Sequence, residues 1–260
     1  MSKFIKNIKK YFKYAVYSAR AELKSEVADS YLNWLWWIIE PVCFMLIYTF
    51  VFGVVFKNNT PYFASFVFVG LTAWEFFNRM VTGSVKLIIN NRDLVTKVYI
   101  PKYILLLSKS FTYLFKMFIS LVITFCLMLF QHVPFTWHII LIIPVLIVLY
   151  VLAFGIGLIL MHFGVTLNDL ANLTTIALRM VFYLSGVFFN ITERLHGNLG
   201  TILLKFNPIA FLMNELRKAL VYGKMLDFSI LGIWFAVALL LCCIGVHVIH
   251  KNENSYAKVI

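Results

Sequence analysis

The chain has 260 residues, 62% of them hydrophobic and only 13% charged, with a mean hydropathy of +0.88. A soluble domain carries about 45–50% apolar and about 25% charged residues. A fold of this length cannot hide such an excess in one core, so the solvent for much of its surface must be lipid. The formal net charge of +12 comes from Lys and Arg beside apolar stretches, as the positive-inside rule and anionic cytoplasmic lipids require. It does not form a basic patch on a soluble fold, which excludes nucleic acid as a partner. Cys43, Cys126, Cys242 and Cys243 all fall in apolar stretches without metal-ligand spacing.

Residues 3–28 place Phe4, Ile5, Ile8, Tyr11, Phe12, Ala15 and Val16 at helical spacing, with Lys3, Lys6, Lys9, Lys10 and Lys13 on the remaining surface. This pattern predicts a cytoplasmic interface helix within residues 1–30, lying in the headgroup plane with its apolar face down. A disordered basic tail is the alternative. Its polar length before the first apolar run argues against a cleavable signal peptide. Tyr31, Trp34, Trp36 and Trp37 follow, a set suited to the membrane–water boundary.

Six spans are predicted, at 38–56, 62–82, 108–130, 139–162, 170–189 and 228–249, in one all-α transmembrane domain covering 1–260. Each approaches the about 20 residues that cross about 30 Å of hydrocarbon. An even number puts both termini on one side. The N-terminal arm, the 83–103 loop (Lys86, Arg92, Lys97, Lys102) and the 250–260 tail (Lys251, Lys258) share it, and their positive charge marks that side as cytoplasmic. The other side holds 57–61, starting with Lys57, then 131–138 and the longer segment 190–227. The charges of Arg194, Lys205, Arg217, Lys218 and Lys224 reduce the asymmetry.

Segment 190–227 is too polar to span and too apolar to be a free loop. Asn207-Pro208 is a helix start, with Asn as cap and Pro in the first turn. Ile209, Phe211, Leu212, Met213, Leu216, Ala219 and Leu220 give an apolar side, Asn214, Glu215, Arg217 and Lys218 a polar one, and Gly223 a stop. With 199–206 this predicts a pair of short re-entrant helices packed against protein. A surface amphipathic helix is the alternative. No internal repeat is apparent.

Glu40, beside Pro41 in the first span, faces either water, a neighbouring helix or a substrate. Arg179, near the middle of the fifth span, needs protein, water or an anion around it: a pathway or interface role, or a carboxylate partner. Glu75 and Arg79 are one turn apart and suited to pair. Asn168-Asp169 is expected to cap the fifth span. The six His match no metal-ligand spacing, and neither G-x-G-x-x-G nor G-x-x-x-x-G-K-[ST] occurs. The chain is therefore expected to be neither an enzyme nor an ATP binder, and active transport would draw on an ion gradient or another polypeptide. Phe182, Tyr183, Phe188 and Phe189 concentrate in the outer half of the fifth span, and Tyr48, Phe50, Phe52 and Phe56 in the first. Such side chains serve lipid and core contacts, or present flat apolar faces along which sugar rings slide.

Several stretches in order resemble the membrane subunit of ABC exporters for cell-surface polysaccharides, the O-antigen, capsule and teichoic acid exporters. They are Tyr31-Leu32-Asn33-Trp34-Leu35-Trp36 with Glu40-Pro41, then Tyr48-Thr49-Phe50-Val51-Phe52-Gly53, and Phe68-Val69-Gly70-Leu71 with Trp74. Asn91-Arg92-Asp93-Leu94-Val95-Thr96-Lys97-Val98-Tyr99-Ile100-Pro101-Lys102 follows, then Leu178-Arg179 through Ser185, and Asn207-Pro208 leading to Arg217 and Tyr222-Gly223. Asn33 departs from the glycine usual in the family. The resemblance implies a permease in the bacterial inner membrane, a homodimer bound to two copies of a separate ATPase that carries the ATP and Mg. It makes 94–101 a coupling helix, with Leu94, Val95, Thr96, Lys97, Val98, Tyr99 and Pro101 docking on that ATPase. It implies a channel between the first and fifth spans of two protomers for a lipid-linked glycan. Arg179, Phe182, Tyr183, Phe188, Tyr48, Phe52 and Glu40 are the pathway candidates. Lys9, Lys10, Lys13, Tyr11 and Phe12 become a gate at which the substrate's pyrophosphate meets the basic arm beside anionic lipids. Other readings are an ABC permease for a drug or other lipid, an ion-coupled secondary transporter, or a membrane-embedded lipid-processing enzyme.

Overall fold

The computed structural model describes residues 2–28, 31–55, 60–191, 198–253 and 255–256. Phe56, Lys57, Arg194 and Lys258 lie outside the described residues. All regular structure among the described residues is helical. Helix α1 (Ser2–Ala28) precedes a short turn of helix and then α2 (Trp36–Tyr48), which runs on as a π-helical stretch, Thr49–Val55. Helix α3 (Phe63–Val85) leads through α4 (Leu87–Asn90) and α5 (Arg92–Lys97) to α6 (Lys102–Phe130). Then come α7 (Ile142–Thr166), α8 (Leu170–Leu184), α9 (Asn198–Phe206), α10 (Pro208–Leu220) and α11 (Phe228–Lys251).

Four of the described helical segments are long and apolar enough to cross a membrane: Trp36–Gly53, Lys102–Phe130, Trp137–Thr166 and Phe228–Lys251. The predicted second and fifth spans differ from these, each for its own reason. Helix α3 carries Glu75, Asn78 and Arg79, yet its residues from Phe63 to Trp74 are all buried, so protein rather than lipid surrounds it. Helix α8 has 15 residues, about 22 Å of rise and short of the hydrocarbon thickness.

Helix α3 is the axis against which α6, α7, α8 and α10 pack. Small residues allow the closest crossings, as in membrane bundles generally. A Cβ on Gly164 would lie 1.8 Å from the Val85 carbonyl oxygen, and one on Gly245 would lie 2.6 Å from Leu158 Cβ. The α3–α7 and α7–α11 contacts therefore depend on the absence of a side chain.

The helix ends sort into two faces. At one, Asn7 Nδ2 donates to Tyr103 Oη at 2.8 Å, Tyr99 Oη donates to Glu253 Oε2 at 3.5 Å, and His162 Nδ1 lies 2.7 Å from Tyr256 Oη. The start of α1, the α5–α6 corner and the end of α11 thus meet. At the opposite face the start of α3 is tied to the end of α6, where Ser65 Oγ donates to Gln131 Oε1 at 2.6 Å.

The basic arm is helical as predicted, but its inner face is occupied by protein. Ala15 and Ala19 are buried, Ser108 Oγ donates to the Ala15 carbonyl, Glu22 pairs with Lys109, and Glu26 pairs with Lys116 at 2.6 Å. As contacts advance from Phe4 to Glu26 along α1, they climb from Tyr103 to Lys116 along α6. Along this face the helix packs on α6, because its two alanines admit close approach and its carboxylates meet lysines set into α6. Lys6, Lys9, Lys10 and Lys13 remain exposed, Tyr11 is half-buried, and Phe12 meets the edge of Phe111 with ring centroids 5.6 Å apart.

In segment 190–227, Asn207 Oδ1 accepts from Ile209 N and Ala210 N at 3.1 and 3.2 Å, capping α10, and Pro208 fills its first turn. Gly223, with φ +56°, turns the chain just after it. The expected polar side of α10 is not exposed, however: Glu215 and Arg217 are buried. Arg217 reaches inward, donating to the carbonyls of Phe66 (3.1 Å), Gly186 (2.9 Å) and Val187 (2.7 Å). Its guanidinium carbon stands 3.6 Å from the centroid of the Phe66 ring. Five donors in a rigid fork can pin α3 and the end of α8 together. The expectation for Asp169 also fails. It stands at the N-cap position of α8 with helical φ −82° and ψ −6° and makes no side-chain cap bond, whereas capping requires extended backbone geometry there.

Candidate functional site

Helices α2, α3, α6 and α8 enclose an open groove of about 690 Å³. At its centre, Arg79 of α3 bridges two carboxylates: Nη2 lies 3.1 Å from Glu40 Oε1 of α2, and Nε lies 3.3 Å from Glu75 Oε2. The predicted Glu75–Arg79 pair forms, and Glu40 joins it across helices. Arg179 of α8 also lines this groove. It is exposed and has no ion pair among the described residues. Helix α6 adds Tyr113 and Lys116 to the wall, the latter held by Glu26 of α1.

One end of the groove is aromatic. Phe52 and Phe188 stack with centroids 4.3 Å apart and planes at 5°, and Tyr48 lies 4.6 Å from the same Phe188 ring. Phe182 meets Phe188 edge-on at 5.4 Å and Trp74 at 5.1 Å, while the largely exposed Tyr183 stands beside Phe182 at 5.4 Å. Edge-to-face and offset contacts of this kind stabilise by about 0.5–1.5 kcal/mol each beyond area burial. Five of the sequence's pathway candidates line the groove from α2 and α8, Glu40, Tyr48, Arg179, Phe182 and Tyr183, and a sixth, Phe188, is the ring that Tyr48 and Phe182 share. Phe52 closes the cluster from behind, and Phe50 points away, 60% exposed. Trp74, Tyr113 and Lys116 were missed as lining. Lys116 left a signal, a charge well inside a mostly apolar 29-residue helix that also carries Lys109. Trp74 left none, since its position against Phe182 depends on how α3 meets α8.

At the α5–α6 corner, Val95, Ile100 and Pro101 are buried and Leu94 half-buried, while Thr96, Lys97, Val98 and Tyr99 are exposed. Val98 is extended, so the six-residue helix ends there with an apolar pair on its outer side. The Glu253 charge raises the Tyr99 phenol above its usual range, keeping the hydroxyl protonated as donor to that carboxylate.

The described helices form a multi-pass membrane bundle whose groove offers ionic and aromatic surfaces to a solute. Residues 16–221 match the family model described as ABC-2 type transporter, and the chain belongs to that family. It is 27% identical over 261 residues to the O-antigen export system permease protein RfbA of Myxococcus xanthus, with all of both chains covered. It is 22% identical over 244 residues to the protein of the same name from Klebsiella pneumoniae, with 92% of each chain covered.

Proposed function

We propose that the chain is the channel-forming subunit of an ATP-driven exporter that carries a lipid-linked polysaccharide of the O-antigen, capsule or teichoic acid type out of the cytoplasmic leaflet of the bacterial inner membrane. The observation that carries this is the groove. It sets Arg179, a cation with no carboxylate of its own among the described residues, next to a run of aromatic faces. An arginine binds a pyrophosphate oxygen pair through its fork, and aromatic faces accept sugar rings without fixing their register. The names of the related permeases support the same substrate class.

In this mechanism six crossings are made, α3 shielded by its neighbours and α8 completed by the turn that follows it. The face where α1, α5 and the C-terminal tail meet is cytoplasmic, so Lys9, Lys10 and Lys13 lie against anionic lipid. Helices α2 and α8 leave Phe44, Leu46, Ile47, Leu173, Ile176 and Met180 exposed, and a second copy covers them. Two ATPase subunits bearing ATP and Mg dock on residues 94–101. Nucleotide-driven closure moves these corners and parts α2 and α8 of the two protomers. Arg179→Ala in the assembled exporter, scored by ATP-dependent glycan export, tests the groove. A fall of about tenfold or more, the worth of one charge-assisted contact, is expected, and unchanged export would remove Arg179 from the pathway. Copurification that recovers no ATPase would overturn the exporter assignment.

A further inference from the structure

A second cavity, of about 340 Å³, lies among α9, α10, the turn after α10 and the start of α11. Its wall carries Lys205, Lys218 and Lys224 with the amides of Asn190 and Asn214 and the phenol of Tyr222. Two carboxylates also face it, Glu215 and Asp227, and both are engaged within the fold. Glu215, with no exposed surface, takes Lys218 Nζ on Oε1 at 2.6 Å and the Asp227 N–H on Oε2 at 2.8 Å. Asp227 Oδ1 accepts the Ile230 N–H at 3.4 Å, closing the first turn of α11. Lys205 and Lys224 have no carboxylate partner among the described residues. Among the described residues of the wall, three ammonium groups against two carboxylates leave one net positive charge.

The backbone holds these cations in place. Gly223 at φ +56° reverses the chain so that Lys224 N donates to the Lys218 carbonyl at 2.8 Å, bringing two of the lysines to one cavity. The site also has a definite place relative to the groove. Phe188 belongs to the aromatic cluster and Asn190, two residues on, to this cavity. The turn leading into Phe188 is pinned through the Gly186 and Val187 carbonyls by Arg217. Asp227 and Glu253 flank the 24 residues of α11, about 36 Å of helix, so the cavity opens at the face opposite the α5–α6 corner. The ammonium groups of Lys205 and Lys224, with the Asn214 amide on the same wall, suit a compact oxyanion with several acceptor oxygens.

We propose that this cavity is an anion site on the outer face, built to hold a phosphate ester. The ester is carried by a lipid headgroup or by a glycan leaving the groove. Its outer placement rests on the orientation proposed above; its binding chemistry does not.

The test uses the full chain purified in neutral detergent, with glycerol 1-phosphate and phosphatidylglycerol as separate probes. The wild type is compared with Lys205→Gln/Lys224→Gln and with the charge-keeping Lys205→Arg/Lys224→Arg. Thermal unfolding confirms that each variant is folded. Supporting results are binding weakened about tenfold or more in the Gln variant and retained in the Arg variant. Loss with both probes assigns recognition to the phosphate ester itself, and loss with phosphatidylglycerol alone assigns it to the lipid. A wild type that binds neither probe, or a Gln variant that binds both like wild type, overturns the site. Glycan export need not occur for probe binding to be read, so failure of the exporter assignment and failure of this site are separate results.

Discussion

A methyl group on Gly70 would lie 2.4 Å from Nη2 of Arg217. The guanidinium that fills this space links α3 to the turn after α8 and to α10 through three carbonyls and the Phe66 ring. Gly70→Ala should displace it, and Arg217→Met should leave the buried Gly186 and Val187 carbonyls without this donor. Each orphaned buried group costs about 1–3 kcal/mol. Both variants are expected to lose at least about 2 kcal/mol of stability, with Arg217→Met the worse, as measured by thermal unfolding in detergent. Unfolding midpoints equal to wild type would show that this pin contributes little.

The Glu40–Arg79–Glu75 bridge should contribute far less to stability than its central position suggests. Arg79 is 33% exposed and each carboxylate 48%, so water competes for the charges. A double-mutant cycle on Glu40→Gln and Arg79→Gln should give a coupling of about 0.2–1 kcal/mol. A coupling several times larger would mean that the groove is dry.

Gly164 lies under the Val85 carbonyl, and a Cβ there would approach the oxygen to 1.8 Å. Backbone cannot rotate aside as a side chain does. Gly164→Ala is expected to force α3 and α7 apart at a cost of about 1–3 kcal/mol, read as a smaller monodisperse fraction after purification. Gly232, with open space around its Cβ position, serves as the tolerant control.

Ala15 is fully buried between α1 and α6. Ala15→Leu should therefore release the arm and raise hydrogen exchange along α1. If the arm were held by lipid alone, the same substitution would add apolar surface and tighten it. The sign of the exchange change separates the two.

On the proposed coupling corner, Val98→Asp should abolish copurification with the ATPase while leaving thermal stability within about 0.5 kcal/mol of wild type, because the side chain is exposed and outside the buried core. Loss of stability together with docking would instead mark Val98 as part of the fold.

Much was legible from residue order. The arm, the cap at Asn207, the stop near Gly223, the Glu75–Arg79 pair and the approximate bounds of the apolar helices all follow from spacing and local chemistry, because helices are written in contacts three and four residues apart. The family itself is legible in the same ordered stretches. What residue order could not convey is which helices shield one another. Hydropathy treats α3 as a span interrupted by charge, whereas its neighbours wrap it. The pattern 214–218 looks like a wet face, whereas Glu215 and Arg217 turn inward to partners 12 to 151 residues away. The groove likewise joins Glu40, Arg79, Arg179 and Phe182 from distant parts of the chain, and the second cavity gathers two of its lysines across a turn. Apolar content and periodicity determine that this is a helical membrane protein, since each residue's transfer from water to lipid is a local property. Where a charge is safe to bury is decided by tertiary packing alone, since its partners exist only once the helices have met.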